Sequence, residues 1–144
     1  MRSETLHIGL LAFDGVNGMD VAGPAEAFAN ANQLAPVDRA GVPPYTLHVI
    51  GLEARPYTAE SGLRFNPSCS LATAPPLDTL IVPGGAGLRE PTTNARVAGW
   101  IERHARGVRR IATICTGVYG VAPTGLLDGR RVATHWRHAA DASP

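Results

Sequence analysis

The sequence predicts an α/β domain with a mainly parallel sheet, and three observations predict it. Short, nearly continuous apolar runs at 6–13 (LHIGLLAF) and 77–82 (LDTLIV) suit strands covered on both faces. Stretches with helical spacing lie between such runs, the order of βαβ units with right-handed crossovers. The 16 glycines and 12 prolines are scattered as turn punctuation, and no repeat, low-complexity tract or linker interrupts them. A chain of 144 residues favours one domain, 1–144. At this size it can bury roughly 68–70% of its unfolded surface.

The elements follow in order. The run at 6–13 is a first strand, stopped by the Asp14-Gly15 turn signal. Residues 20–32 are rich in alanine, and Pro24 near their start suits a first helical turn, so a helix is expected from about Gly23. Residues 37–44 read as loop and 45–52 (YTLHVIGL) as a second strand. Residues 55–70 alternate loosely around Ser61-Gly62, which fits a small hairpin. Ala74-Pro75-Pro76 breaks the chain, and the third strand at 77–82 stops at Pro83-Gly84-Gly85. Val97, Trp100, Ile101 and His104 recur at three- and four-residue steps, giving a helix over 94–106. A fourth strand at 109–114, a helix at 118–127 closed by Asp128-Gly129, and a short strand at 131–134 complete the pattern.

Composition excludes several classes. A formal net charge of +1 gives no electrostatic case for nucleic acid or an anionic membrane. Two cysteines, Cys69 and Cys115, are too few for a disulfide scaffold, and no ligand spacing points to a metal or an organic cofactor. The N-terminus lacks the pattern of a signal peptide, and no apolar run approaches the ~18 residues of a membrane helix. The expected compartment is reducing cytoplasm, where a free thiol persists.

The candidate chemistry gathers at strand ends, where open α/β sheets place their sites. The strand RIATI runs into Cys115-Thr116-Gly117 and then a helix. An immediate helix start forces a sharp bend at Cys115 and lifts its sulfur out of the sheet, as in a nucleophile elbow. Gly117 lets the helix pack close to the strand. The N–H groups of a helix start favour the thiolate. Gly84 and Gly85 end the neighbouring strand, and their amides, with that of Thr116, are candidate oxyanion donors or ligand-binding groups. Asp20 follows the first strand, a general acid/base, a helix N-cap, or both. Glu26 is a second carboxyl, one helical turn further in. His135 closes the last strand, but the spacing does not place it on Cys115, and a turn histidine there is more often structural. Cys69 reads as a loop or edge-strand thiol.

Three stretches then carry a resemblance: FDGVNGMDVAGPAEAFANAN, PLDTLIVPGG and RRIATICTGVYGVAPTGLLDGRRVATHW. Together they resemble the DJ-1/PfpI superfamily, with its class I glutamine-amidotransferase-like fold, over almost the whole chain. The likeness is strongest to the N-terminal domain of AraC-type transcription regulators, on GLLDGRRVATHW and on ESGL at 60–63, and isonitrile hydratases are similar in the same places. The resemblance implies a flavodoxin-like three-layer sandwich and a homodimer. It implies an active site of Asp20, Cys115 and Thr116, the types those hydratases use. Pro123 departs from the family's elbow helix. The chain also stops at Pro144, before the further sheet, helix and helix-turn-helix region that the regulators carry. The expected function is a ligand-sensing domain with a small-molecule pocket over Cys115, which binds no nucleic acid by this segment alone. The alternative is a cysteine-dependent enzyme of the isonitrile hydratase type.

Overall fold

The structure, a computed structural model, describes residues 5–35 and 41–140. Part of the loop expected over 37–44 therefore lies outside the described residues. Strand β1 (Leu6–Ala12) leads to helix α1 (Gly18–Leu34), then β2 (Tyr45–Gly51). Two short strands, β3 (Tyr57–Thr58) and β4 (Arg64–Phe65), form the antiparallel hairpin. Strand β5 (Cys69–Ser70) follows, then β6 (Thr79–Val82), α2 (Pro91–His104), β7 (Arg110–Thr113) and α3 (Val118–Val121). The sheet has five strands in the order β5-β2-β1-β6-β7, and every pairing in it is parallel. The fold is the mainly parallel α/β architecture that the alternation predicts, in the flavodoxin-like form that the resemblance implies.

The period of two along each strand builds a core on each face. On one face Ile8, Leu10 and Ile81 pack with Ala25 and Phe28 of α1. On the other, Leu11, Phe13, Leu80 and Val82 meet Val97, Trp100 and Ile101 of α2 and Val121 of α3. Leu11, Phe13, Val82 and Ile101 are wholly buried, each stabilising by about 1.5–3 kcal/mol. β1 lies at the centre, so its C-terminal end opens between the ends of β2 and β6.

Four elements differ from the sequence reading, each for a physical reason. Helix α1 starts at Gly18, because the Asn17 side chain accepts the Met19 N–H at 3.0 Å and caps it. Asn17 is thus the N-cap, Asp20 lies in the first turn, and Pro24 falls in the helix interior. The helix expected over 118–127 is only one α-turn long, followed by a 3-10 turn at Ala122–Thr124 and Gly125 at φ 73°. Pro123 has no N–H for the Tyr119 carbonyl. That carbonyl accepts from Asn94 Nδ2 instead, at 2.8 Å. Residues 131–134 pair with no strand among the described residues. They double back over the end of β7, where the Thr134 hydroxyl donates to the Cys115 carbonyl at 3.0 Å. Beyond the hairpin, Cys69 and Ser70 leave it to pair with Ile50 and Gly51 at the sheet edge.

Candidate functional site

The site is built where β1, β6 and β7 end. Cys115 has φ 55°, and it is the only non-glycine at positive φ among the described residues. For a residue with a Cβ this conformation costs on the order of 1 kcal/mol or more, so the surroundings must impose it. They do so through hydrogen bonds on both sides. Ile114 N–H donates to Val82 O at 3.0 Å, and Gly117 N–H to Ile114 O at 2.8 Å. Gly117 lies directly on β6, where a Cβ would stand 2.0 Å from Val82 O.

The end of β6 touches the same bend. A Cβ on Gly84 would meet Thr116 N at 2.6 Å and the Cys115 Cβ at 3.0 Å. Gly85 N–H donates to Thr116 Oγ1 at 3.1 Å, and Thr116 is buried. From the first turn of α1, Asp20 Oδ2 accepts the Gly84 N–H at 2.9 Å. Both diglycine amides are therefore engaged, one holding the Asp20 carboxyl and the other the Thr116 hydroxyl. Asp20 is only 9% exposed. Burial holds its carboxyl above the ordinary carboxylate range, and the negative charge of Glu60 adds to the rise. The Gly84 N–H and the nearby His135 pull the other way.

A cleft of about 170 Å³ opens above the bend, lined by Cys115, Thr116 and Gly85 below and Asn17, Glu60 and Ala86 on one side. Arg89, His135, Arg137 and His138 form the rest of its wall. The hairpin brings Glu60 there. Asp14, at the end of β1, accepts the Thr58 N–H at 2.9 Å and pairs with Arg55 at 2.7 Å, which pins the hairpin over the sheet end. Glu60 N–H then donates to Val16 O at 3.0 Å, and its Oε1 accepts the Ala86 N–H at 2.7 Å.

Of the residues the sequence singled out, Cys115, Thr116, Gly85 and His135 line the cleft. Gly84, Gly117 and Asp20 do not line it: Gly84 and Gly117 pack at the bend itself, and Asp20 is held by the Gly84 N–H. Glu26 is exposed on α1, six residues beyond Asp20, and does not line the cleft. Sequence reasoning missed Asn17, Glu60, Arg89, Arg137 and His138. For Glu60 a signal existed, because the residue before a Ser-Gly hairpin tip can be carried back over a neighbouring strand end.

Comparison with known proteins gives the chain its family. The DJ-1/PfpI family model matches residues 7–143. The chain belongs to the DJ-1/PfpI family. Among curated relatives of this DJ-1/PfpI chain is an uncharacterized protein in the cpoL 5' region of Streptomyces lividans, 31% identical over 97% of this chain and 94% of that protein. The isonitrile hydratase of Pseudomonas putida is 30% identical over 92% of this chain and 54% of its own length. The HTH-type transcriptional regulator GbdR of Pseudomonas aeruginosa is 34% identical over 90% of this chain and 34% of its own. The chain thus spans about half of the hydratase and a third of the regulator. A solved structure of a putative transcriptional regulator from Vibrio parahaemolyticus superposes with a TM-score of 0.76 at 21% identity, over 96% of this chain and 71% of that one. A ThiJ/PfpI family protein from Pseudomonas syringae gives 0.71 at 23%, over 92% of this chain and 51% of that one. Those two show the shared fold. No helix among the described residues is long and apolar enough to cross a membrane.

Proposed function

We propose that this DJ-1/PfpI chain is a ligand-sensing domain of a transcription regulator of the AraC type, and that its small-molecule site is the cleft over Cys115. One observation carries the reading: the strained backbone of Cys115 stands beneath a cleft whose walls come from four separate loops. A ligand that draws those loops together changes the surface they present, which is how such a domain signals to a partner copy or to a DNA-binding region. The likeness to GbdR supports the regulator assignment. The gene past the codon for Pro144 tests it. A helix-turn-helix region in frame supports the reading, and a stop codon at that point overturns it.

A second reading is favoured by Asp20, whose buried carboxyl is held by the N–H of Gly84, the residue packed against Thr116 and Cys115, and by the likeness to an isonitrile hydratase. In it, the Cys115 sulfur attacks the terminal carbon of an isonitrile while the Asp20 carboxyl delivers a proton to that carbon, giving a thioimidate. Water adds at the same carbon and the thiolate leaves, so the product is the N-substituted formamide. The Thr116 amide lies at the bend to hold developing negative charge, and the diglycine amides keep Asp20 and Thr116 in place. Incubation with an isonitrile tests this reading by formamide release. A rate for the native protein no higher than for Cys115→Ala sinks it.

A further inference from the structure

The charge of the cleft names the class of molecule it takes. Arg89, at the end of the 3-10 turn that follows the diglycine, and Arg137, in the 3-10 turn at Trp136–His138, both line it. Neither forms an ion pair with a carboxylate among the described residues, whereas Arg55, Arg96 and Arg109 all do. Arg89 Nη1 lies 3.3 Å from His138 Nε2, and the Arg137 guanidinium sits over the Trp136 ring at 5.3 Å from its centroid. Each contact leaves most of the guanidinium's five N–H donors unused. The opposing charge in the cleft is Glu60, and its carboxylate already accepts the Ala86 N–H. In a chain of net charge +1, this gathers an excess of positive charge in one concavity.

Resting on the reading of this cleft as a ligand site, we propose that its occupant is a small carboxylate, held by Arg89 and Arg137 with its other end toward Cys115. Guanidinium and carboxylate match in shape as well as charge, and two guanidiniums lining one cleft select that group over a neutral isostere.

Two alkylating reagents of nearly equal size and opposite character test this on the native chain. Iodoacetate carries a carboxylate and iodoacetamide does not. With either, the thiolate sulfur bonds to the methylene carbon and iodide departs with its electron pair. Rates at Cys115 and Cys69 are read separately by peptide mass spectrometry, with a short neutral cysteine peptide as the free-thiol reference. Cys69 is an internal control, because the arginine that shares its pocket, Arg55, is paired with Asp14 and Glu53. The iodoacetate-to-iodoacetamide ratio cancels differences in thiol reactivity. At Cys115 it should exceed the peptide's by about fivefold, and Arg89→Gln and Arg137→Gln should each lower it by about threefold. High salt should lower it too. A ratio at Cys115 equal to the peptide's, or one unmoved by both substitutions, overturns the carboxylate proposal while leaving a ligand site. No reaction of Cys115 with either reagent overturns the ligand-site reading and this proposal with it.

Discussion

Cys115 occupies a backbone conformation that glycine holds without strain. In a regular helix or strand, glycine is the less stable residue by roughly 0.5–1 kcal/mol against alanine. At φ 55° the order should invert, with Cys115→Gly more stable than Cys115→Ala by about 1 kcal/mol in urea unfolding. An alanine variant equal to or above the glycine one would mean that the bend is relaxed in solution. Gly117 makes the complementary case. A methyl there meets Val82 O at 2.0 Å, a backbone atom that cannot turn aside, so Gly117→Ala should cost about 3 kcal/mol or more. An unchanged urea midpoint contradicts the close approach. These residues were legible in the sequence because a strand, a polar bend and a glycine follow one another along the chain. Asp20 was legible for the same local reason. Glu60 was legible only as the residue before a hairpin tip, and Arg89 and Arg137 were not legible, because only the folded chain brings the turn after β6 and the segment past α3 to one place.

Among the elements, β1, β2, β6, β7 and α2 were legible because apolar periodicity is a local property. The two-residue β5 was not, since no period can be read from Cys69 and Ser70. The expected length of α3 failed on one atom, the hydrogen that Pro123 lacks. Asn94 compensates, donating to the carbonyls of Leu88 at 3.0 Å and Tyr119 at 2.8 Å. Asn94→Ala should therefore cost about 1–3 kcal/mol by leaving a carbonyl without a donor. In a Pro123→Ala background, whose new N–H can reach Tyr119 O, the same change should cost less, and a double-mutant cycle measures the difference. Equal costs in the two backgrounds would show that Asn94 does not stand in for the missing bond.

For the whole molecule, acidic residues at the sheet ends set opposing pH dependences. Arg55 holds Asp14 below its ordinary range, and Arg109 does the same for Asp78. Their contributions are present above the unfolded value of about 3.9 and are lost as pH falls through the lower folded values. Asp20 runs the other way. The folded chain binds its proton more tightly than the unfolded chain, so its contribution declines as pH rises above about 3.9 and stays low beyond the raised folded value. Asp20→Asn keeps an acceptor for the Gly84 N–H and removes the titration. The native protein should therefore lose stability relative to this variant as pH climbs from 4 toward 7, and parallel profiles would place the carboxyl in water. Beneath every functional reading lies the presentation of the Cys115 sulfur to the cleft by the folded chain, and alkylation by neutral iodoacetamide in dilute urea measures it most directly. Cys115 should react in the native state, faster than Cys69 and at a rate independent of urea below the unfolding transition. A Cys115 that reacts only as the chain unfolds would contradict the account.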